Sequence, residues 1–366
     1  MLDYKARIDD LQAISGVDAV MLVPGSNMIY FTGLEFHLSE RPVVAIFTAE
    51  GLSIIIPQLE LQKITKRPDL EVNAFPWSDT EGHMGAFAKA IHDLGLTGKR
   101  IGIDGMTMRV TEWMNFQSID PTLQVVPVER ELINIRAHKK ADEVELMRAA
   151  IQASERALEQ LLREVKPGMT ERQISARLSE LVLSEGCNGL AFDALIQTGP
   201  NSDNPHGFVT DRALQAGEFL LIDFGGSIDG YPADITRTFC IGAPTAEMQK
   251  IYNTVLAANL AAQAVAKPGV PMGAVDRAAR GVIEAAGYGP YFTHRTGHGL
   301  GLGGHEPIPQ IASNMDDLLE PGMSFTIEPG IYIPGMGGVR IEDNVVITET
   351  GLDVLTSFPR SLQLPG

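Results

Sequence analysis

The second half of this chain is written twice. Lys166-Pro167-Gly168-Met169-Thr170 returns 101 residues later as Lys267-Pro268-Gly269-Val270-Pro271. The segments that follow stay in step. Ile174, Leu178, Leu181 and Val182 match Val275, Ala279, Val282 and Ile283 at helical spacing. Each run closes on a glycine, Gly186 or Gly287, where a helix end favours one. After a small slip, Gly217-Glu218-Phe219-Leu220-Leu221-Ile222-Asp223-Phe224-Gly225 aligns with Gly322-Met323-Ser324-Phe325-Thr326-Ile327-Glu328-Pro329-Gly330. A chain repeated in this way is expected to form two similar half-domains about a pseudo-twofold axis.

The alignment sets Asp223 on Glu328. It sets Asp234 roughly on Glu342, in Val339-Arg340-Ile341-Glu342-Asp343. Leu220–Phe239 reads as a strand, a glycine-rich turn and a second strand, with Asp223 near the end of the first and Asp234 in the second. A carboxylate in an apolar run such as Leu220-Leu221-Ile222-Asp223-Phe224 is costly to bury unless it is paired or bound to a cation. Alone, the stretch is equally consistent with an exposed acidic hairpin. The repeat brings four carboxylates to one axis, where they would repel and raise each other's pKa. Divalent cations remove that problem, and four hard oxygen donors suit two neighbouring ions.

His294-Arg295-Thr296-Gly297-His298-Gly299-Leu300-Gly301-Leu302-Gly303-Gly304-His305 supplies nitrogen donors. The flanking glycines let the backbone come close to His298. The segment also spells G-x-G-x-x-G from Gly299 to Gly304, but no apolar strand leads directly into it and no helix pattern follows, so a dinucleotide loop is rejected. His206, in Pro205-His206-Gly207, stands 17 residues before Asp223 and could reach the same cleft. Such a site would activate water for attack on a carbonyl, most plausibly an amide, with imidazoles on the oxyanion and a carboxylate moving the proton. Ser227 and Cys240 lie near, but neither has an evident base in sequence.

The first 130 residues or so read as a separate α/β unit. Arg7–Ile14 has a helical pattern. Ala19–Val23 is a buried-type strand closed by a turn at Pro24-Gly25-Ser26-Asn27, and Pro42–Phe47 with Leu52–Ile56 form a hairpin. Glu81–Leu94 reads as a helix, Arg100–Asp104 and Val125–Val128 as strands, together suggesting a partly parallel sheet. His37, His83 and His92 are isolated and read as surface or structural residues. A charged run from Arg136 to Glu143 enters a long helix, Ala141–Val165, whose apolar stripe has one gap, at Ser154.

Net charge is −17 and no Lys/Arg-rich run occurs, which argues against nucleic acid and against an anionic membrane surface. Two cysteines, Cys187 and Cys240, form no framework, so a reducing compartment is expected. With no signal peptide pattern and no apolar run near 20 residues, the expectation is a soluble cytoplasmic protein.

These motifs resemble a known family. Residues from about 140 to 355 resemble the pita-bread metallopeptidases, which include methionine aminopeptidase, aminopeptidase P and prolidase. Ala19-Val20-Met21-Leu22-Val23-Pro24-Gly25-Ser26-Asn27-Met28-Ile29-Tyr30-Phe31-Thr32-Gly33 resembles the creatinase/prolidase N-terminal domain. The resemblance implies an α/β (α+β) architecture: a smaller creatinase-like N-terminal domain over residues 1–132, then a pita-bread catalytic domain with a pseudo-twofold repeat over 133–366. Asp223 and Asp234 have the family's eleven-residue separation. The resemblance implies Asp223, Asp234, His298, Glu328 and Glu342 as ligands of two divalent ions per chain, Mn or Co. It implies His206, His305 and Glu328 as catalytic, and His206, His294, His305 and Arg340 as substrate-binding.

Methionine aminopeptidases generally lack such an N-terminal domain, so the proline-specific branch is favoured. The expected partner is a peptide with proline in second position, and the expected assembly a homodimer. Chain length and overall likeness favour an Xaa-Pro dipeptidase (prolidase) over aminopeptidase P. A dipeptidase must recognise a free C-terminal carboxylate, and His294, Arg295 and Arg340 are the candidates. A metal-free C–N hydrolase like creatinase, or a non-catalytic binding protein on the same fold, would be expected to lack part of the ligand set.

Overall fold

A computed structural model of the chain describes residues 2–363. It divides into two compact units between Arg136 and Ala137. A helix, Glu129–Ala137, occupies the stretch where the sequence suggests a boundary.

The N-terminal unit is built on one six-stranded sheet. Its strand order is 72–77, 51–57, 44–48, 19–22, 100–103, 124–127. Val44–Thr48 runs antiparallel to both neighbours, and the remaining pairs are parallel. The sheet is therefore partly parallel, as expected. Met21, Phe75, Phe87 and Phe116 pack in its core. The turn expected at Pro24–Asn27 is a helix start instead, since Ser26–Thr32 is helical and buries Met28, Tyr30 and Phe31. Seven residues are two turns, too few for a periodic signal, so burial decides the conformation. His83 lies edge-on to both Trp77 and Phe87, while His37 and His92 are exposed. All three fit structural or surface roles.

The C-terminal unit shows the repeat in three dimensions. Helices Ala141–Glu164 and Glu171–Ser184 open the first half, and Ala246–Val265 and Met272–Ala285 open the second. The twenty-residue helix Ala246–Val265 is the counterpart of the long first helix. Its alanine-rich sequence hides the amphipathic stripe, and the 101-residue offset is the signal that finds it. Gly186 and Gly287 follow the caps of the second helix in each half with φ of 100° and 89°. A side chain is strained in that region, which is why the two halves end on the same residue type.

Each half then forms an antiparallel sheet. In the first, Phe219–Phe224 lies between Leu195–Thr198 and Ile235–Cys240. In the second, Ser324–Ile327 lies between Gly297–Gly301 and Asp343–Ile347, with Gly304–Ile311 and Leu352–Val354 at the edges. The G-x-G-x-x-G run falls in the hairpin of 297–301 and 304–311, with no helix after it, in agreement with its rejection as a dinucleotide loop. Ser154 fills the gap in its stripe for a reason. It is fully buried, donates to Ala150 O at 2.8 Å and accepts the Gly226 N–H at 2.9 Å, so the long helix grips the hairpin beyond Asp223.

That hairpin is more broken than expected. The stretch from Phe219 to Cys240 holds four strands, 219–224, 226–228, 231–232 and 235–240. Asp234 is not inside a strand but immediately precedes Ile235–Cys240, just as Glu342 immediately precedes Asp343–Ile347. Both cysteines are buried free thiols. Among the described residues no helix is long and apolar enough to cross a membrane.

Candidate metal centre

Carboxylates and imidazoles from both halves meet at one cavity of about 430 Å³. It is lined by Asp223, Asp234, His298, Glu328 and Glu342, by His206, His294, His305 and Arg340, and by Phe192, Pro205 and Arg295. The nine residues expected as ligands, catalytic groups or substrate contacts are therefore brought to one place, together with Arg295, the remaining candidate for a C-terminal carboxylate. Phe192 and Pro205 carry no sequence signal for this position, because an apolar residue in a loop looks the same wherever the loop goes.

Strand ends deliver the acids. Asp223 is the penultimate residue of Phe219–Phe224, and Glu328 follows Ser324–Ile327. Asp234 is held through its backbone, its N–H donating to Asn344 Oδ1 at 3.0 Å and its carbonyl accepting from Asn344 Nδ2. Glu342 accepts the Thr236 hydroxyl on Oε2 at 2.6 Å. His298 sits where the pairing register shifts between His298 and Gly299, a bulge that re-aims a side chain. These donors fall into three overlapping groups: Asp234, His298 and His305; His298, Glu328 and Glu342; Asp223, Asp234 and Glu342. Within each, one donor atom per residue lies within 4.8 Å of the others.

Asp234, His298 and Glu342 are buried, and the electrostatics follow from that. Burial, then the charges of Asp223 and Glu328, raises the Asp234 carboxyl well above its ordinary range. Glu342 is raised in the same way, by burial and then by Asp234, Glu328 and Asp223. Burial pushes Glu328 up to about 7, against the nearby Arg340 charge. His298 is lowered to about 3, first by burial and then by His305. Its Nδ1 lies 3.0 Å from the Gly299 carbonyl, which assigns the proton to Nδ1. The bare Nε2 lone pair then faces Asp234 at 3.5 Å and Glu328 at 3.7 Å. Lone pair against carboxylate is repulsive unless a proton or a metal cation lies between them, and the raised acids show how strongly a positive charge is wanted there. Asp223 Oδ1 makes the same point, being buried with no hydrogen-bond partner among the described residues. The donor set thus fits divalent cations on its own chemistry.

One charge in the cavity is already committed. Arg340 is buried and donates through Nη2 to Asp223 Oδ2, through Nη1 to Tyr332 Oη at 2.9 Å and through Nε to Thr236 Oγ1 at 3.0 Å. Burial alone would lower its pKa, but Tyr332 and the carboxylates Asp223, Glu328 and Glu342 raise it well above the ordinary value. Tyr332 also meets His294 Nε2 at 2.9 Å, while His294 Nδ1 lies 2.7 Å from the Arg295 carbonyl. His294 is lowered to about 4 by burial and then by Arg340, so it stays neutral and accepts from Tyr332. Burial also lowers His305, whose ring stacks on His298 with centroids 3.5 Å apart. Tyr332, Thr236 and Asn344 form the supporting layer that sequence reasoning missed, since nothing in their local pattern marks them.

A pH effect follows. A carboxyl raised from 4.5 to about 7 stabilises the fold fully below 4.5 and loses that contribution as pH rises through 7. For Glu328 this amounts to roughly 3 kcal/mol at pH 8. His298, His294 and His305, lowered in the fold, act the opposite way below about pH 6.5, so the acids set the trend only above it. Chelator-treated protein is therefore expected to melt lower at pH 9 than at pH 7, because Asp234 and Glu342 are raised as well. A divalent cation is expected to raise the melting temperature more at pH 9, since it competes with those protons. Scanning calorimetry with and without Mn2+ checks both; a metal-free melting temperature that rises over this range contradicts the assignment.

Known proteins resemble this chain over nearly its whole length. Residues 145–349 match the model of metallopeptidase family M24, and residues 6–138 match the creatinase/prolidase N-terminal domain. The chain is 33% identical over 346 residues to an uncharacterized peptidase of Staphylococcus aureus, covering 94% of this chain and 95% of that protein. Among solved structures, a recombinant prolidase from Thermococcus sibiricus superposes with a TM-score of 0.92 at 35% identity, over 99% of both chains. The X-Pro aminopeptidase from Thermotoga maritima superposes with a TM-score of 0.87 at 31% identity, over 98% of this chain and 99% of that one. With a creatinase-type N-terminal domain, a duplicated pita-bread domain and a donor set suited to divalent cations, this chain belongs to metallopeptidase family M24.

Proposed function

We propose that the chain is an Xaa-Pro dipeptidase working with two divalent cations per chain, Mn or Co, held by Asp223, Asp234, His298, Glu328 and Glu342. The overlap of the donor groups carries this reading. Asp234, His298 and Glu342 each belong to two of the three groups, an arrangement suited to adjacent ions. When bound, the cations supply a water activated near neutral pH and polarise the scissile carbonyl.

The chain's own groups do the rest. A Glu328 carboxylate oxygen takes the proton of the attacking water and passes it to the leaving proline nitrogen, with Thr326 Oγ1 directed at its Oε1 at 3.5 Å. His305 and His206 are exposed at the cavity and hydrogen-bond the carbonyl oxygen as charge develops on it. His294 and Arg340 shape the substrate end through Tyr332. Arg340 is committed to Asp223, so Arg295 is the cation left to meet the C-terminal carboxylate of a dipeptide. It lines the cavity, and no hydrogen bond or ion pair of its guanidinium occurs among the described residues.

The test is hydrolysis of Ala-Pro, Met-Pro and an Xaa-Pro-containing tripeptide by Mn- or Co-reconstituted protein. Cleavage of the dipeptides is expected, with Arg295→Met raising KM for them about tenfold. Cleavage of the tripeptide alone would make the chain an aminopeptidase P, the second reading, which its likeness to the Thermotoga maritima enzyme favours. No cleavage of any of the three sinks both. The complete donor set speaks against a metal-free, creatinase-like hydrolase. The family resemblance further implies a homodimer, which sedimentation tests.

A further inference from the structure

Two fully buried carboxylates outside the cavity hold the segments that carry its histidines. Glu171 is the first residue of the helix Glu171–Ser184. Its Oε1 accepts the Thr198 N–H at 2.8 Å, the Thr198 hydroxyl at 3.0 Å and the Asn201 amide at 3.0 Å. Its Oε2 accepts the Thr210 N–H at 2.9 Å and the Thr210 hydroxyl at 2.6 Å. The one side chain therefore closes both ends of the loop 199–209, on which Pro205 and His206 reach the cavity. Between those ends the loop is held by Gln197 Nε2 on the Asn201 and Asn204 carbonyls, at 2.9 and 3.0 Å, and by the Gly338 N–H on Ser202 Oγ at 2.8 Å, while its tip is open, Phe208 being 84% exposed.

Asp276 makes a similar clamp in the second half, from the fifth residue of its helix rather than from the position equivalent to Glu171. It lies on the helix Met272–Ala285 and is fully buried. Its Oδ1 accepts the Thr296 N–H at 2.9 Å and the Thr296 hydroxyl at 2.8 Å. Its partner Arg280 donates to both Asp276 oxygens, at 2.9 and 3.1 Å, and to the carbonyls of Phe292 and His294 at 3.1 and 2.8 Å. The segment so clamped presents His294 and Arg295 and leads into His298. The Thr296 carbonyl accepts the Glu328 N–H at 2.7 Å, so the clamp reaches an acid of the cavity as well. In both halves one carboxylate oxygen, from the helix that follows Lys-Pro-Gly, takes both protons of a single threonine. A buried carboxylate is tolerated only when its acceptors are filled, so each helix has one geometry for its loop.

We propose that Glu171 and Asp276 are positioning residues, Glu171 setting His206 for the substrate and Asp276 setting His298 for the cation. This rests on the roles given above to His206 and His298, and it gives two similar clamps two different tasks. Glutamine at 171 keeps the shape but turns one acceptor into a donor, so only one end of the loop stays held. Asparagine at 276 sets an amide against the Arg280 guanidinium.

The test compares Glu171→Gln and Asp276→Asn in the full chain. Glu171→Gln is expected to lower kcat/KM for Met-Pro about tenfold or more. It should leave the Mn2+ dissociation constant within about twofold and add little to the loss in His206→Ala, because it acts through that ring. Asp276→Asn is expected to weaken Mn2+ binding about tenfold or more by calorimetry. Hydrogen exchange on chelator-treated protein needs no activity. Faster exchange is expected over 198–210 in the first variant only and over 294–298 in the second only. If the wild type cleaves no peptide, the functional reading fails, while the Mn2+ and exchange arms still decide this one. Equal loss of Mn2+ affinity and turnover in both variants would overturn the proposal. So would a Glu171→Gln loss that multiplies with His206→Ala, or unchanged exchange. Should Glu171→Gln not fold, Thr210→Val removes one of the five bonds and is read by the same outcomes.

Discussion

Replacing Glu342 with alanine is expected to abolish divalent-cation uptake and drop turnover to background, while the melting temperature of the chelator-treated protein stays within about 4 °C of wild type. Glu342 belongs to two of the three donor groups, so its loss takes a ligand from each. Two effects on the metal-free fold oppose one another. Removing the side chain leaves the Thr236 hydroxyl without its acceptor, which costs about 1–3 kcal/mol. It also removes a buried acid that Asp234, Glu328 and Asp223 push up, which relieves repulsion of the same order. Asp234→Ala is expected to behave alike, because Asn344 grips the Asp234 backbone and that grip survives the substitution. Metal analysis after reconstitution and dialysis, with melting curves in chelator, checks both variants. Full activity in either would contradict the site, and a collapse of the metal-free fold would mean these acids are structural.

The second large effect is expected at Gly297. A Cβ there would stand 1.8 Å from the Thr326 carbonyl oxygen, in a buried strand packed on another strand's backbone. Backbone cannot swing aside as a side chain can. Gly297→Ala should therefore cost about 3 kcal/mol or more and lower the melting temperature by roughly 10 °C. It should also weaken cation binding, since the displaced residue precedes His298, whose N–H bonds Thr326 Oγ1 at 3.2 Å. Gly281→Ala is the control. It lies in the helix Met272–Ala285, a Cβ there meets nothing within 4 Å, and the substitution should stabilise by about 0.5–1 kcal/mol. Two glycine-to-alanine changes of opposite sign separate steric contact from any general effect of the residue type.

The candidate metal site is more legible in the sequence than the fold around it. The repeat exposes Asp223, Asp234, Glu328 and Glu342, because duplication puts like residues at like positions along the chain. The histidines stand out through their number beside glycines. The hairpin, however, reads as two strands, whereas Phe219–Cys240 holds four and Asp234 stands just outside the last. Alternation shows that a strand is present but not where its ladder breaks. The helix Ala246–Val265 escapes a reading by pattern because alanine marks no face, and Ser26–Thr32 because two turns make no period.

Sequence by itself determined the α/β class, the duplication, the candidate acidic and histidine donors and the equivalence of the acids between halves, since periodicity and repetition are properties of a string. Only the tertiary structure decided which donors share a neighbour and that Arg340 is committed to Asp223. It also decided that His298 turns a bare nitrogen toward two acids, and that Glu171 and Asp276, unremarkable in the string, hold the segments that carry the histidines. Those facts depend on distances between residues far apart in the chain. Burial sets the cost of each charge, and burial exists only once the chain has closed around it.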